Sequence, residues 1–213
     1  MTKRIAIIGA PSAGKTTLAT SVFSALKQSG RRAEMVHEWI RFDIQAHGPM
    51  TSIWEQYRTR QHQKELEDAV PAEVDYVIID GGLLLQYFFA VLYADPSDRR
   101  QRLVLQDMYS YFLTDLWSDR YDMVFYLPLI GDANLQDGTR YQSDRQIKVL
   151  DEHMKLMFTK LHRLRSIHLV NSGFEARLEE VMWKIVGEDY LTSQPHSAIF
   201  DFSHHGEADL IYR

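Results

Sequence analysis

The chain has 213 residues, of which 45% are hydrophobic and 25% charged, and this composition is typical of a soluble globular protein and excludes collagen-like or wholly disordered classes. The 24 Lys and Arg against 29 Asp and Glu give a net charge of −5, so no overall positive field attracts nucleic acid or an anionic membrane surface. The absence of Cys excludes disulfides, thiolate metal sites and cysteine nucleophiles. The longest apolar stretch, residues 81–94, is shorter than the about 20 residues that span a bilayer, and we expect a soluble cytoplasmic protein with no membrane contact.

Apolar runs separated by helical patterns predict a regular alternation of strands and helices. Residues 5–8 form an apolar run that ends at Gly9, after which Leu18, Val22 and Leu26 recur at helical spacing. Strands are predicted in this way at residues 5–8, 33–37, 74–80, 122–127 and 166–170. Helices are predicted at residues 15–27, 52–70, 83–117 (with a break near Asp95 and Pro96), 143–164 and 174–186. The alternation implies an α/β fold in three layers, with one five-stranded parallel sheet between helices on both faces.

The helix predicted at residues 52–70 has sequence signals for both its N-terminal and its C-terminal end. Thr51 or Ser52 can cap its N-terminus, and Glu55 follows Ser52 by three residues, as in a capping box. Pro71 then ends the helical pattern.

The periodic patterns stop near residue 188. We therefore expect a single domain at residues 1–188, followed by a C-terminal tail at residues 189–213.

A glycine-rich segment between the first strand and the first helix carries the most specific signal. It satisfies G-x-x-x-x-G-K-[ST], the Walker A or P-loop pattern, in the required context of a preceding strand and a following helix. Its backbone N–H groups can surround a phosphate at the positive end of a helix. The predicted phosphate-binding residues are Gly9, Ala10, Pro11, Ser12, Ala13, Gly14, Lys15, Thr16 and Thr17. The segment predicts binding of ATP.

Two side chains extend this prediction to Mg²⁺. Lys15 can reach the β- and γ-phosphates, and the Thr16 hydroxyl can enter the coordination shell of Mg²⁺. Asp80 ends an apolar strand, where a carboxylate is costly unless a cation, a metal-held water or a substrate proton meets it. We predict Asp80 as the second metal-site residue and as catalytic, with a helix N-cap as its alternative role.

The residues that follow the second strand are candidates for the acceptor side. Glu38 can orient or deprotonate an attacking hydroxyl, although an exposed acid in a surface turn fits the same spacing. Trp39 and Phe42 are candidates for stacking on an acceptor, and Arg41 lies between them in sequence. Ligands of open α/β sheets gather at the carboxyl ends of the strands.

Basic and polar side chains elsewhere are further candidates. Arg58 and Gln61, on the helix at residues 52–70, can bind an acceptor, although a plain helix surface explains them as well. Residues 130–145 are predicted as a lid, in which Arg140 and Arg145 neutralise charge during the reaction. A solvated basic helix is the alternative for this region.

With these segments in view, residues 3–187 resemble P-loop nucleoside and nucleotide kinases, specifically the NadR-like nicotinamide riboside kinase branch. The resemblance implies a helical lid region that contributes arginines, here Arg140 and Arg145, and an acidic residue near the acceptor hydroxyl, here Glu38. It also implies that Asn171, after the last strand, lies against adenine.

The acceptor stays open at this stage. A nucleoside-like or nucleotide-like acceptor is the leading hypothesis, and the resemblance extends to P-loop kinases of bacterial viruses that phosphorylate hydroxymethyl pyrimidines in DNA. Residues 140–165, with seven Lys and Arg against three Asp and Glu, could follow a DNA backbone, but the net charge of −5 argues against it. A regulatory switch driven by nucleotide hydrolysis, with no acceptor, is the alternative of another class.

Overall fold

Five short strands form one parallel sheet at the centre of the molecule. The computed structural model describes residues 2–118, 120–130, 141–161, 166–173 and 176–187. The strands are β1 (Lys3–Gly9), β2 (Ala33–Val36), β3 (Tyr76–Asp80), β4 (Met123–Leu127) and β5 (Ile167–Leu169). They lie in the order β2-β3-β1-β4-β5, and every adjacent pair is parallel. The predicted five-stranded parallel sheet is confirmed.

The described residues contain seven helices. These are α1 (Lys15–Gln28), α2 (Trp39–His47), α3 (Ile53–Asp68), α4 (Leu84–Tyr93), α5 (Arg99–Trp117), α6 (Asp144–Leu161) and α7 (Arg177–Val186). The predicted helical region at residues 83–117 is divided into α4 and α5 at the expected break near Asp95 and Pro96. Helix α2 was not predicted, because only Ile40 and Asp43 are buried on it and no apolar stripe marks it in the sequence.

Alternating side chains of the strands build two cores, one on each face of the sheet. In β1, Ile5 and Ile7 pack with α1 and α7, whereas Ala6 and Ile8 pack with α4, α5 and α6. This period of two on a strand buried on both faces produces the continuous apolar run seen in the sequence. The three-layer α/β architecture is therefore confirmed.

The strand order gathers three chain segments at the carboxyl edge of the sheet. β1, which leads into the P-loop, is the central strand, and β3 lies beside it with Ile7 opposite Asp80. β2 lies next to β3 and leads into Glu38 and helix α2. The P-loop, Asp80 and Glu38 are brought together because these three strands are neighbours and run in the same direction.

Parts of two predictions lie outside the described residues. These are residues 131–140 of the predicted lid and the whole predicted tail at residues 189–213. In the ranges that the structure describes, no helix has both the length and the apolar character needed to cross a membrane.

The capping box at the start of α3 is formed as predicted. The Ser52 hydroxyl accepts the backbone N–H of Glu55 at 3.3 Å, and the Glu55 carboxylate accepts the backbone N–H of Ser52 at 2.8 Å. The two contacts satisfy backbone donors that the first helical turn would leave unpaired.

Replacing Ser52 by Ala should lower the free energy of unfolding by about 1 kcal/mol, because the N-cap acceptor is lost. Chemical denaturation measures the effect. Ser110→Ala is the matched control, since Ser110 is exposed within α5 and its hydroxyl donates to the carbonyl oxygen of Gln106 in the preceding turn. Equal stability of the Ser52 variant and the parent protein would contradict the capping role.

Candidate active site

The P-loop joins the central strand to helix α1 through a tight turn. A Cβ atom on Gly9 would lie 2.5 Å from the carbonyl oxygen of Leu127, so only glycine fits this close approach of the backbone to β4. Ser12, with φ of 71°, adopts a left-handed conformation that is uncommon for a residue with a side chain. Strain of this kind concentrates at functional sites.

Lys15, the first residue of α1, is buried within the loop. Its ammonium group donates a hydrogen bond to the carbonyl oxygen of Ala10 at 3.3 Å. This hydrogen-bond partner is neutral and the nearby Glu38 carboxylate is the opposite charge, so the ammonium can still bind a phosphate group through a charge-assisted hydrogen bond. The position agrees with the predicted phosphate-binding role.

Thr16 and Asp80 meet at the base of the loop. The Thr16 hydroxyl donates to Oδ2 of Asp80 at 2.6 Å, and Asp80 is 0% exposed. The other carboxylate oxygen of Asp80, Oδ1, is buried without a hydrogen-bond partner among the described residues. Asp80 does not cap α4 either, because the N-cap position is Leu83 and no side chain caps it. Its alternative role as a helix cap is therefore not what the structure shows.

The same pair fits a magnesium ion. Mg²⁺ prefers oxygen ligands and is held by one or two protein oxygens together with phosphate oxygens and water. The unpaired oxygen of Asp80 and the adjacent hydroxyl of Thr16 provide such a set, and the orphaned buried oxygen is the observation that favours it.

Glu38 is buried against the turn that follows β3. It is 8% exposed and stands at the N-cap position of α2, but its side chain makes no cap hydrogen bond. A Cβ atom on Gly81 would lie 3.2 Å from the Glu38 carboxyl carbon, and Gly81 has φ of +86°, so glycine is required there on two grounds. Glu38 is thus no exposed acid of a surface turn, which was the alternative expected from the sequence.

The surroundings of Glu38 change its acidity. Burial raises the pKa of Glu38 above its ordinary value, and repulsion from the Asp80 carboxylate acts in the same direction. The positive charges of Lys15 and Arg41 oppose this rise. A carboxylate with a raised pKa is better matched to accepting a proton near neutral pH.

Donor-side and acceptor-side candidates line one cavity of about 280 Å³. The P-loop from Pro11 to Thr17 forms one side, and Glu38 and Arg41 form another. Ile40, Ile44 and Phe89 add an apolar wall. Arg41 reaches across this space, because its Nη1 donates to the Thr16 hydroxyl oxygen at 2.7 Å.

Four residues predicted to bind substrate lie outside the lining of this cavity. The Trp39 ring stacks on His62 with centroids 4.4 Å apart, and Phe42 is 56% exposed beside His37. Arg58 pairs with Asp43 at 3.1 Å, and Gln61 is partly buried on α3. Their contact with a substrate stays a prediction.

Three further predicted residues are those of the lid, Arg140 and Arg145, and the residue expected against adenine, Asn171. Arg140 lies outside the described residues, and Arg145 is exposed in the first turn of α6. Asn171 is exposed just after β5, where its side-chain amide donates to the carbonyl oxygen of Leu169 at 3.3 Å. Their predicted roles also stay predictions.

Besides the apolar wall of Ile40, Ile44 and Phe89, two polar cavity residues were missed by the sequence analysis. Tyr141 donates to the carbonyl oxygen of Met50 at 2.8 Å, and the Gln142 amide donates to the Tyr93 hydroxyl at 2.8 Å. These contacts hold the segment that precedes α6 against the cavity. No sequence motif marks the two residues, because the pairing joins parts of the chain far apart in sequence.

Arg177 is a third residue that the sequence did not indicate. It is 3% exposed at the start of α7, and its two terminal nitrogens donate to the carbonyl oxygens of Ala13 at 2.6 Å and Pro128 at 2.8 Å. The guanidinium therefore ties α7 to the P-loop and to the segment after β4. This contact fixes the loop from behind.

Comparisons with known proteins agree with this geometry. A family model described as an AAA domain matches residues 4–177, whereas the search of curated proteins found no match. The fold is similar to that of NadR protein in complex with NR, with a TM-score of 0.66, 17% identity, and coverage of 86% of this chain and 50% of that one. NadR protein in complex with NAD and AMP-PNP gives a TM-score of 0.63 at 16% identity, over 91% and 51% of the two chains.

A third similar structure is the deoxyadenosine kinase from M. mycoides with bound dCTP. Its TM-score is 0.62 at 15% identity, and the match covers 85% of this chain and 98% of that one. The chain spans about half of the length of the NadR chains. At these identities the likeness shows a shared fold, and it confirms the resemblance to P-loop kinases at that level.

Replacing Arg177 by Met keeps a long apolar stem but removes both hydrogen bonds to the carbonyls. We expect the free energy of unfolding to fall by about 2 kcal/mol, because charged donors to buried carbonyls contribute more than neutral ones. Nucleotide binding should also weaken, since the P-loop loses its rear support. Denaturation and calorimetric titration with ATP measure the two effects.

Lys184→Met, on the exposed side of the same helix, is the control for loss of one positive charge. Loss of stability in the Arg177 variant with unchanged nucleotide affinity would show that Arg177 supports α7 and does not shape the loop.

Proposed function

The chain belongs to the family described as an AAA domain, and we propose that it is an ATP- and Mg²⁺-dependent kinase that phosphorylates a hydroxyl of a nucleoside-like or nucleotide-like acceptor. One observation carries this proposal: a buried carboxylate, Glu38, lines the same cavity as Lys15 and Thr16 of the P-loop. A site that only hydrolysed nucleotide would have no need of an apolar wall beside the phosphate loop. The similar structures contain NR, NAD with AMP-PNP, and dCTP as ligands of those proteins, which supports this acceptor class.

On the donor side, the chain supplies positive groups around the phosphates. Backbone N–H groups of the P-loop and the N-terminus of α1 would bind the phosphates, and Lys15 would contact the group that is transferred. Thr16 and Asp80 would hold Mg²⁺, which neutralises charge on the phosphate oxygens when it is bound. Catalysis would come mainly from positioning and electrostatic stabilisation.

On the acceptor side, Glu38 would act as the general base. It would take the proton of the acceptor hydroxyl while the hydroxyl oxygen forms a bond to the γ-phosphorus of ATP and the bond to the β–γ bridging oxygen breaks. ADP is the leaving product. Ile40, Ile44 and Phe89 would pack against the ring system of the acceptor and keep water away from the reacting group.

The test is ADP release from ATP in the presence of single acceptors, namely nucleosides, nucleotides, and DNA that carries a hydroxymethyl pyrimidine. We expect a nucleoside or nucleotide to stimulate release and to become phosphorylated, and Lys15→Ala to lose nearly all of this activity because the charge against the phosphates is removed.

Each other outcome selects a different hypothesis. ADP release that no acceptor stimulates would favour the hydrolytic switch, and salt-dependent phosphorylation of DNA would favour the DNA kinase. Full activity of the Lys15 variant would overturn the assignment of the P-loop as the donor site.

Replacing Glu38 by Gln should lower turnover by about 100-fold or more while ATP affinity stays the same, because the variant cannot accept a proton. The pH profile gives an independent measurement. In the parent protein the pKa of Glu38 is raised, so turnover should fall as the pH decreases through a value above that of an ordinary glutamate.

This acidic limb should be absent from the Glu38→Gln profile. Glu34→Gln is the matched control, because it changes the charge equally and the exposed Glu34 of β2 does not line this cavity. Asp43→Asn is unsuitable, since Asp43 forms an ion pair with Arg58. An unchanged acidic limb in the Glu38 variant would assign proton acceptance to another group.

A further inference from the structure

We infer that Arg41 serves as a built-in substitute cation at the magnesium site of the nucleotide-free protein, and that entry of Mg²⁺ with ATP releases it toward the acceptor side of the cavity. The inference rests on the proposed function and deepens it, because it links loading of the donor site to preparation of the acceptor site.

Thr16 connects Asp80 and Arg41 through a chain of two hydrogen bonds. Its hydroxyl donates to Asp80 at 2.6 Å and accepts from Arg41 Nη1 at 2.7 Å. A hydroxyl has one proton and two lone pairs, so the hydrogen bond from Arg41 uses one lone pair of the oxygen and leaves the other. A metal ion bound through the remaining lone pair would lie beside the guanidinium group.

Mg²⁺ and the Arg41 guanidinium cannot easily share the Thr16 oxygen. Mg²⁺ binds oxygen at about 2.0 to 2.1 Å in a nearly ideal octahedron. A guanidinium group donating to the same oxygen would stand within a few ångströms of a doubly charged ion, in a site where burial weakens screening. The two cations therefore compete for Thr16.

The buried carboxylates and the cationic side chains of the site balance each other in number. Two buried carboxylates, Asp80 and Glu38, face two cationic side chains, Lys15 and Arg41, in this part of the molecule. Without nucleotide, Arg41 offsets negative charge that would otherwise be buried and uncompensated. When Mg²⁺ takes over this task at Asp80, the positive charge of Arg41 is no longer needed there.

The cavity provides space into which the Arg41 side chain can move. It lies in the first turn of α2 and lines the cavity of about 280 Å³ together with Glu38 and Ile40. A long, unbranched side chain can turn about its stem while the backbone of α2 stays in place. Turned away from Thr16, its planar fork would meet oxygens of the acceptor.

Competition for one site predicts a coupling that binding experiments can measure. Calorimetric titration of a non-hydrolysable ATP analogue, repeated over a range of Mg²⁺ concentrations, gives the Mg²⁺ concentration for half-maximal tight binding. Arg41→Gln should lower this concentration at least about fivefold, because the internal competitor is gone. Arg41→Lys, which keeps the charge but loses the fork, should lower it by a smaller factor.

Arg32→Gln is the matched control, since it removes one positive charge from a pair with Asp75 at the opposite end of the sheet. Its Mg²⁺ requirement should equal that of the parent protein. An unchanged or higher requirement in Arg41→Gln would overturn the inference; if that variant does not fold, an unchanged or higher requirement in Arg41→Lys would do the same.

The acceptor assay tests the second half of the inference. At saturating Mg²⁺ and ATP, Arg41→Gln should lower kcat/KM for the acceptor, and an unchanged value would contradict movement toward the acceptor side. Failure of every acceptor to be phosphorylated would remove the proposed function. The Mg²⁺ titration would still decide the competition at Thr16, because it needs no acceptor.

Discussion

Two carboxylates buried side by side at the carboxyl edge of the sheet are the constraint on which the rest of the site depends. Asp80 is fully enclosed and Glu38 nearly so, and a buried carboxylate is strongly unfavourable without partners. Lys15, Arg41 and the Thr16 hydroxyl surround the pair. The P-loop and the start of α2 thus supply positive charge to the two carboxylates from two sides.

The turn that separates these carboxylates has its own support on the side away from the P-loop. The Tyr121 hydroxyl accepts the backbone N–H of Leu83 at 3.1 Å and donates to the buried carboxylate of Glu67. Burial raises the pKa of Glu67, while Arg120 at 3.1 Å and Arg4 at 3.4 Å oppose the rise. Because α3, β1 and the segment before β4 all contribute, the turn after Asp80 is held in position by three parts of the chain.

The P-loop and the proposed acceptor side differ in how firmly they are held in place. The P-loop is fixed by the central strand, by α1 and by Arg177 of α7. The acceptor side depends on α2, a nine-residue helix with two buried residues, and segments with few buried apolar contacts open more readily than a core. A rigid P-loop beside a more adaptable wall suits the proposed transfer, in which a second substrate binds and water is excluded.

Much of the fold and the position of the P-loop could be predicted from the sequence. The five strands are short apolar runs buried on both faces, the P-loop is a contiguous motif, and the capping box of Ser52 and Glu55 is local, so each leaves its signal within a few residues. Only the tertiary structure decided the rest. Arg177 meets the P-loop across 164 residues of sequence, Tyr141 reaches Met50 across 91, and α2 turns Trp39 toward His62 while it directs Arg41 to Thr16. The reason is that such contacts depend on strand order and helix placement, which bring distant side chains together without leaving any periodic pattern in the sequence.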